Sequence, residues 1–276
     1  MLTLIIVSYN SANTLVECMD ELLQSAQFRT IIVDNNSTDG SAETLQSRYP
    51  KAEVIPLDTN IGYGRAANMG LKKVDTPYAF LLNPDLCARP SDITKLLEWI
   101  CQNKHGAALY APAVKKSDFL HGGPIEREWV IGAAMLFEME RMKHIGFFDE
   151  NIFLFYEEKD LCLRIQQGNE KIILCSDFYI HHIKGQCCPP DEHIRFIKNW
   201  HVGWSSMYYF TKHGIATGNH KPKRLLRKYL SKRCTSLDPA KREKFRVRSC
   251  GIRAFLRNEK AFNQDGTPKT DFIDLK

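Results

Sequence analysis

Three short polar clusters in the first third of the chain carry side chains that hydrogen-bond, accept protons and ligate hard cations: Ser8-Tyr9-Asn10, Asp34-Asn35-Asn36-Ser37 and Asn83-Pro84-Asp85. Further on, an acidic pair, Glu157-Glu158, precedes Asp160, and a histidine pair stands at His181-His182. Each group also has an ordinary structural use. Asp-Asn-Asn-Ser and Asn-Pro-Asp are good turn chemistry. Acidic residues are favoured in the first turn of a helix by the macrodipole. A lone histidine is more often structural than a ligand.

The elements around these clusters decide whether they meet. Leu4 to Val7 is a continuous apolar run, as a buried parallel strand would be, and Ser8 to Ser11 breaks it. Thr14-x-x-Glu17 reads as a capping box, with Leu15, Cys18, Met19, Leu22 and Leu23 on one helical face. Ile31 to Val33 reads as a second strand, 41–48 as a helix, and Val54-Ile55 as a third strand. Residues 64–74 form a helical pattern, 78–82 a fourth strand, and 91–102 an amphipathic helix. This alternation predicts an α/β fold, a doubly wound, mostly parallel sheet with helices on both faces. In such sheets ligands bind beyond the carboxyl ends of the strands, where all three polar clusters stand.

After Pro112 the alternation stops. Residues 129–137 read as a strand with an internal Gly132, 158–167 as a helix, 171–176 and 179–183 as strands, and 192–212 as a long helix with Trp200, Trp204, Tyr208 and Tyr209. Helical spacing favours ordinary packing for those aromatics over an acceptor path. Beyond Gly218 the chain is a basic, partly helical C-terminal appendage. The expected domains are 1–218, in halves 1–112 and 113–218, and an extension over 219–276.

Composition narrows the function classes. Hydrophobic residues make up 43 % and charged residues 25 %, which suits a chain with a buried core. The nine cysteines include no Cys-x-x-Cys, and Cys187-Cys188 are vicinal, so reduced thiols are expected and a zinc site is not. The start, Met1 to Val7, lacks the basic lead of a signal peptide, and the longest apolar run, 129–137, is too short to span a bilayer. A cytoplasmic protein, soluble or peripheral on the inner membrane, is expected. The net charge of +6 is concentrated between Lys221 and Arg257, where only Asp238 and Glu243 oppose the bases. That segment interleaves bases with Leu225, Leu226, Tyr229, Leu230, Phe245 and Ile252, as either a membrane-surface anchor or a solvated helical face would. It carries no nucleic-acid motif, and no nucleic-acid partner is expected.

Two nucleotide-binding classes fall away. A dinucleotide site needs Gly-x-Gly-x-x-Gly after the first strand, where Ser-Tyr-Asn-Ser stands instead. Gly62-x-Gly64 follows the third strand and is weak alone, and no Walker A sequence is present.

The motifs Ile6-Val7-Ser8-Tyr9-Asn10, Val33 to Gly40, Asn60-Ile61-Gly62-Tyr63-Gly64 with Asn68, and Leu82-Asn83-Pro84-Asp85 stand in one order. Gly132-Ala133, Gly146 to Glu150, Tyr156 to Cys162 and His182-Ile183-Lys184-Gly185 follow. In this order the chain resembles the family 2 glycosyltransferases, in particular the branch that includes rhamnosyltransferases. The resemblance covers about residues 1–214, and the motifs standing together in register make it specific.

The resemblance implies a GT-A fold, a nucleotide diphosphate sugar donor and a divalent cation, Mg²⁺ or Mn²⁺. It places Ser8, Tyr9, Asn10, Asp34, Asn60, Gly62, Arg65, Asn83 and Asp85 around the donor. Asp34 would accept from the imide N–H of uracil or thymine, so the donor would be UDP- or dTDP-linked. Asp85 would hold the cation in an Asp-x-Asp-like element whose first acid is Asn83, and His182, or its neighbour His181, would lie near the metal or diphosphate. Glu158, the second of the acidic pair, would be the general base of an inverting transfer, with Glu157 beside it and Gly132 and Asp160 on the sugar and acceptor side. Glu158 stands where Asp is commoner, so its carboxylate reaches one methylene further. The expected acceptor is a glycan or lipid-linked glycan of bacterial surface polysaccharide synthesis. A catalytically silent nucleotide-sugar-binding or scaffold subunit, docked through the basic tail, is the alternative.

Overall fold

The computed structural model describes residues 1–103, 105–119, 122–183, 192–263 and 266–269. Lys184-Gly185 and Cys187-Cys188, named above, lie outside the described residues. Backbone contacts divide the chain into two units, Met1–Phe148 with Glu158–Pro189, and Asp149–Glu157 with Pro190–Lys276.

The first unit is built on β1 (Leu2–Ser8), α1 (Ala12–Ser25), β2 (Arg29–Asp34), α2 (Ser41–Arg48), β3 (Glu53–Pro56), α3 (Tyr63–Leu71) and β4 (Tyr78–Leu82). It continues through β5 (Leu86–Cys87), α4 (Pro90–Asn103), β6 (Ala107–Ala113), α5 (Lys116–Phe119), β7 (Pro124–Glu126), β8 (Ala134–Glu138) and α6 (Met139–Met142). After the interruption come α7 (Glu157–Gln167), β9 (Lys171–Tyr179) and β10 (His181–His182). Eight strands form one sheet in the order β3-β2-β1-β4-β8-β6-β9-β7. β3, β2, β1 and β4 run parallel, β8 is antiparallel to β4 and β6, and β9 runs parallel to β6.

The sheet is covered on both faces, as a continuous apolar strand run requires. Leu4, Ile6 and Ile32 pack with Leu15, Met19 and Leu22 of α1 and Ile93, Leu96 and Ile100 of α4. The alternate residues Ile5, Val7, Ile31 and Val33 pack with Ala66, Ala67 and Leu71 of α3 and Leu161 and Ile165 of α7. Register then levels the strand ends. Ser8 lies opposite Asp34, Ile6 opposite Leu82, and Leu82 opposite Ala134. The three polar clusters and the Gly132-Ala133 turn therefore leave one edge of the sheet together.

Several sequence expectations need correction here. The capping box at Thr14 does not form: α1 starts at Ala12, whose N–H donates 3.1 Å to Ser41 Oγ, so α2 satisfies the helix end. The strand expected over 129–137 begins only at Ala134, after the turn at Gly132-Ala133. The strand expected at 171–176 runs on to Tyr179 as β9, with an irregular register near Pro112, and of the strand expected at 179–183 His181-His182 forms β10, which leaves the main sheet to pair with β5. β6 had no counterpart in the sequence reading.

The second unit holds α8 (Glu192–Lys212), a 3₁₀ turn at Gly218–His220, α9 (Pro222–Thr235) and α10 (Pro239–Leu256). α8 and α10 cross at van der Waals contact of their backbones. A Cβ on Gly203 would lie 2.2 Å from the Arg248 carbonyl oxygen, and one on Gly251 2.1 Å from that of Trp200. Trp200, Trp204, Val247 and Ala254 are buried along this seam. α8 thus groups with the basic helices in the second unit. Asp149 accepts from Tyr208 (2.9 Å) and Lys212 (2.7 Å) on α8. Burial alone would raise its carboxyl, but these bonds and those from Asn151 hold it down at about 2.

Candidate active site

The strand ends are stitched by side chains that satisfy backbone groups leaving the sheet. Ser8 is buried with its Oγ 3.0 Å from Ser11 Oγ, and the half-buried Tyr9 donates its N–H to the same Ser11 hydroxyl. Asn10 turns through a left-handed conformation, φ 51°, and donates its N–H to Ser37 Oγ at 2.8 Å. Asn10 Oδ1 accepts from Thr38 N–H. Asp34 is buried and clasps Ser37, accepting from its N–H at 2.9 Å and its hydroxyl at 2.6 Å. The turn-forming role is therefore present. A carboxylate offers about four lone-pair sites, so Asp34 keeps capacity for a further N–H donor.

Asn35 and Asn60 lock the loop that leads into α3. Asn35 Nδ2 donates to Asn60 Oδ1 at 3.0 Å, Ile61 N–H donates to Asn35 Oδ1, and Gly62 N–H donates to Asn60 Oδ1 at 3.1 Å. Gly62 then adopts φ 88°, ψ 160°, a region essentially closed to other residues. The half-buried Arg65 occupies the first turn of α3. The Tyr63 hydroxyl lies 2.9 Å from Asn83 Oδ1 and 3.2 Å from the Gly132 carbonyl oxygen, and Asn83 N–H donates to Ala133 O. One tyrosine thus ties the start of α3 to the turn after β4 and the turn before β8.

Asp85 is fully buried, with Oδ1 3.1 Å from His182 Nε2. Antiparallel pairing of β10 with β5 delivers that histidine, and Ile183 N–H donates to Asp85 O. His181 is exposed with its Nδ1 3.2 Å from the Tyr179 hydroxyl, so it is His182 that reaches Asp85. His182 Nδ1 is buried with no hydrogen-bond partner among the described residues. Among those residues no cluster of three or more His, Cys, Asp or Glu could hold a metal. One carboxylate and one imidazole with an unused buried nitrogen fit a hard cation that takes most of its ligands from bound phosphate and water.

The acidic pair opens α7. Phe155 (φ 66°) and Tyr156 (φ 72°), both left-handed, turn the chain into it. Glu157 is buried and Glu158 half-buried. Desolvation raises the Glu158 carboxyl above the usual range, with the Glu158 and Lys159 backbone N–H groups and the Lys159 charge pulling the other way. Gly132 meets Glu158 directly, since a Cβ there would lie 3.1 Å from Glu158 Cβ. Gly132 therefore joins Glu158 to the Tyr63–Asn83 contact. Asp160 is fully buried and bound to Arg164 at 2.9 Å, and Arg164 also donates to the Ile145 and Phe147 carbonyls. It braces the 145–147 segment and is not brought to the surface with Glu158.

Tyr63 and Asn35 were not among the site residues expected from sequence, although both stand within the quoted motifs. Asn68 is a third: buried, it exchanges hydrogen bonds with the backbone of Phe148.

The model of the family "Glycosyl transferase family 2" matches residues 3–173, which include every site residue above except His182. The chain is 22% identical over 232 residues to N-acetylglucosaminyl-diphospho-decaprenol L-rhamnosyltransferase of Mycobacterium tuberculosis, covering 63% of this chain and 76% of that one. It is 21% identical over 263 residues to rhamnosyltransferase WbbL of Escherichia coli K12, covering 79% and 96%. Among solved structures, the mannosyltransferase PcManGT from Pyrobaculum calidifontis, in complex with GDP-Man and Mn²⁺, superposes with TM-score 0.58 at 14% identity over 93% of this chain and 86% of that one. S. aureus TarS 1-349 in complex with UDP-GlcNAc gives 0.53 at 13% identity over 94% and 92%. The fold is the GT-A fold, and with the family match spanning β1 to β9 the chain belongs to glycosyl transferase family 2, beside rhamnosyltransferase relatives.

Proposed function

We propose that this glycosyltransferase moves a sugar, rhamnose being the first to test, from a dTDP- or UDP-linked donor to a hydroxyl of a glycan or lipid-linked glycan. The transfer inverts the anomeric carbon and serves synthesis of a bacterial surface polysaccharide. The observation that carries the reading is the contiguity of Asn83, Gly132 and Glu158 at the sheet edge where the Asp85–His182 pair also stands.

In this reading Asp34 accepts from the pyrimidine imide, while Ser8, Tyr9, Asn10, Asn60, Gly62 and Arg65 shape the nucleoside pocket. Asp85 and His182 would hold the cation. A divalent cation there, Mg²⁺ or Mn²⁺, neutralises charge on the diphosphate. Glu158 takes the acceptor proton as the hydroxyl oxygen bonds to the anomeric carbon and the bond to the diphosphate oxygen breaks. The diphosphate leaves unprotonated, so one carboxylate suffices, whereas glycosidases need two. Glu157 orients substrate hydroxyls, and Asp160 positions α7 through Arg164. The relatives named as rhamnosyltransferases, and the solved structures holding GDP-Man with Mn²⁺ or UDP-GlcNAc, support a nucleotide-sugar donor.

The test is calorimetric titration of UDP and dTDP with Mn²⁺ and with excess EDTA, followed by nucleotide release from dTDP-rhamnose and UDP-GlcNAc. Mn²⁺-dependent binding of a pyrimidine nucleotide is expected. Neither nucleotide binding under any condition would overturn the reading.

A further inference from the structure

α9 and α10 form a helical hairpin whose connection is Ser236-Leu237-Asp238. Leu237 is 98% exposed, the most exposed large apolar side chain among the described residues. Lys228, Lys232 and Arg233 in the last two turns of α9, and Lys241, Arg242 and Lys244 in the first two of α10, flank this connection along the chain and are all exposed. Two acids stand nearby. Asp238 caps α10, accepting from the N–H groups of Ala240 and Lys241, and Glu243 is engaged by Arg246 at 2.6 Å. Asp238 also pairs with Lys241 at 3.7 Å, so two acids stand against six bases at the tip.

The placement of the α10 bases runs against helix electrostatics, whereas those at the end of α9 suit it. The N-terminus of a helix is its positive pole, where cations are unfavourable. The first two turns of α10 nevertheless carry Lys241, Arg242 and Lys244. Crowding is evident: Arg248, with burial and Lys241, pushes the Lys244 ammonium below its ordinary value. The hairpin itself is well anchored, with Leu225, Val247 and Ile252 buried at its base, so the tip is a projection of ordered helix.

We infer that the α9–α10 tip is a docking element for an anionic phospholipid surface, with Leu237 entering the interface and the flanking lysines and arginines meeting the lipid phosphates. A membrane explains both features together. An anionic surface attracts each nearby base, and an apolar side chain on a rigid tip gains by entering the acyl boundary. A nucleic acid would use the charge but leave Leu237 in water. Among the described residues no helix is long and apolar enough to cross a bilayer, so attachment would be at the surface. The inference does not depend on the donor chemistry proposed above.

The experiment is co-sedimentation of the full chain with vesicles of phosphatidylglycerol and phosphatidylcholine, and with vesicles of phosphatidylcholine alone, at low and high salt. Binding is expected only with phosphatidylglycerol and should weaken with salt, because exposed charges are screened. Leu237→Glu, at a fully exposed position, should reduce partitioning by about tenfold or more. Lys232→Glu with Arg233→Glu should reduce it at least as much and flatten the salt dependence. Circular dichroism of both variants should match wild type. Absence of salt-sensitive binding to phosphatidylglycerol overturns the inference. So does unchanged partitioning of Leu237→Glu with a folded spectrum, which would reduce the tip to a generic polyanion site. Nucleotide affinity, measured alongside, should be equal in all three proteins, so a failure of the donor reading shows in wild type and a failure of this one in vesicle binding alone.

Discussion

Replacing Glu158, the general base of the proposed reaction, with glutamine separates catalysis from stability. Glutamine keeps the size and hydrogen-bonding capacity of the side chain but cannot take a proton. Loss of a general base typically slows the reaction by roughly 10²–10⁴-fold. At 1.36 kcal/mol per tenfold this is about 3–5 kcal/mol of barrier. Donor affinity should stay close to wild type, because the change acts on the transition state. The structure adds a second half. Burial raises the Glu158 carboxyl above its usual 4.5, so the folded protein holds that proton more tightly than the unfolded chain. The stability from this group is complete below the unfolded pKa and is lost as pH rises through the folded one. Above the unfolded value the group therefore destabilises the fold, and at neutral pH Glu158→Gln should melt higher than wild type. By the same shift, wild-type turnover should rise with pH through a midpoint above 4.5, since the base works ionised. The assays are release of nucleoside diphosphate at saturating acceptor across pH, and calorimetric melting of both proteins. Near-wild-type turnover of the variant would move the base elsewhere. A lower melting temperature at neutral pH would refute the desolvation argument even if activity were lost.

Other perturbations test separate parts of the structure. Asp85→Asn should weaken Mn²⁺-dependent nucleotide binding at least about tenfold, and excess EDTA should do the same to wild type; titrations that agree with and without Mn²⁺ would dissociate Asp85 from a cation. Gly62→Ala forces a side chain into φ 88°, ψ 160° and should destabilise by about 1–3 kcal/mol in chemical denaturation, with no change expected only if the loop re-forms elsewhere. Gly203→Ala places a Cβ 2.2 Å from the Arg248 carbonyl, so α8 and α10 must separate, at about 1–3 kcal/mol or more by thermal melting. His201 is fully buried between Phe153 and Trp200, with neither ring nitrogen hydrogen-bonded among the described residues, and burial depresses it to about 3. Its contribution is present above the unfolded value near 6.5 and lost as pH falls toward 3, so the acid-induced drop in wild-type melting temperature should shrink in His201→Leu.

How much of this was legible in the sequence depended on whether neighbours or the segment itself decided the structure. β1, β2 and β4 are continuous apolar runs and announce themselves. β6, Ala-Ala-Leu-Tyr-Ala-Pro-Ala, is poor in β-branched residues and contains Pro112. It is a strand because β8 and β9 flank it. β8 pairs with it only at Leu109 and Tyr110, which leaves Pro112 outside that ladder. The break read at Asp177-Phe178 is an irregularity of register within β9, and no local signal separates that from a turn. At the site, the Asp34–Ser37 clasp follows from turn chemistry over four residues. The Tyr63–Asn83–Gly132 contact does not, because it depends on the rotation of α3 and the register of β4 against β8. The choice of His182 over His181 likewise required the β5–β10 pairing.

Two opposed effects act on Glu158, and the sequence alone could not rank them. The N-terminus of α7 lowers a carboxylate's pKa, and its backbone N–H groups do so here. Desolvation raises it, and desolvation is the larger effect. That outcome follows from close packing at Gly132, where any larger residue would crowd Glu158 Cβ at 3.1 Å. It also follows from the turn that starts the helix. Two consecutive residues with side chains, Phe155 and Tyr156, hold left-handed conformations that cost of order 1–3 kcal/mol each. The Tyr156 ring offsets part of this by packing 5.5 Å from Tyr209 and 5.9 Å from Phe210. A less strained turn would begin α7 at another residue and rotate the acidic pair around the helix by about 100° per residue of shift. The missing side chain at 132 therefore leaves room for Glu158 beside the turn that carries the Tyr63–Asn83 contact.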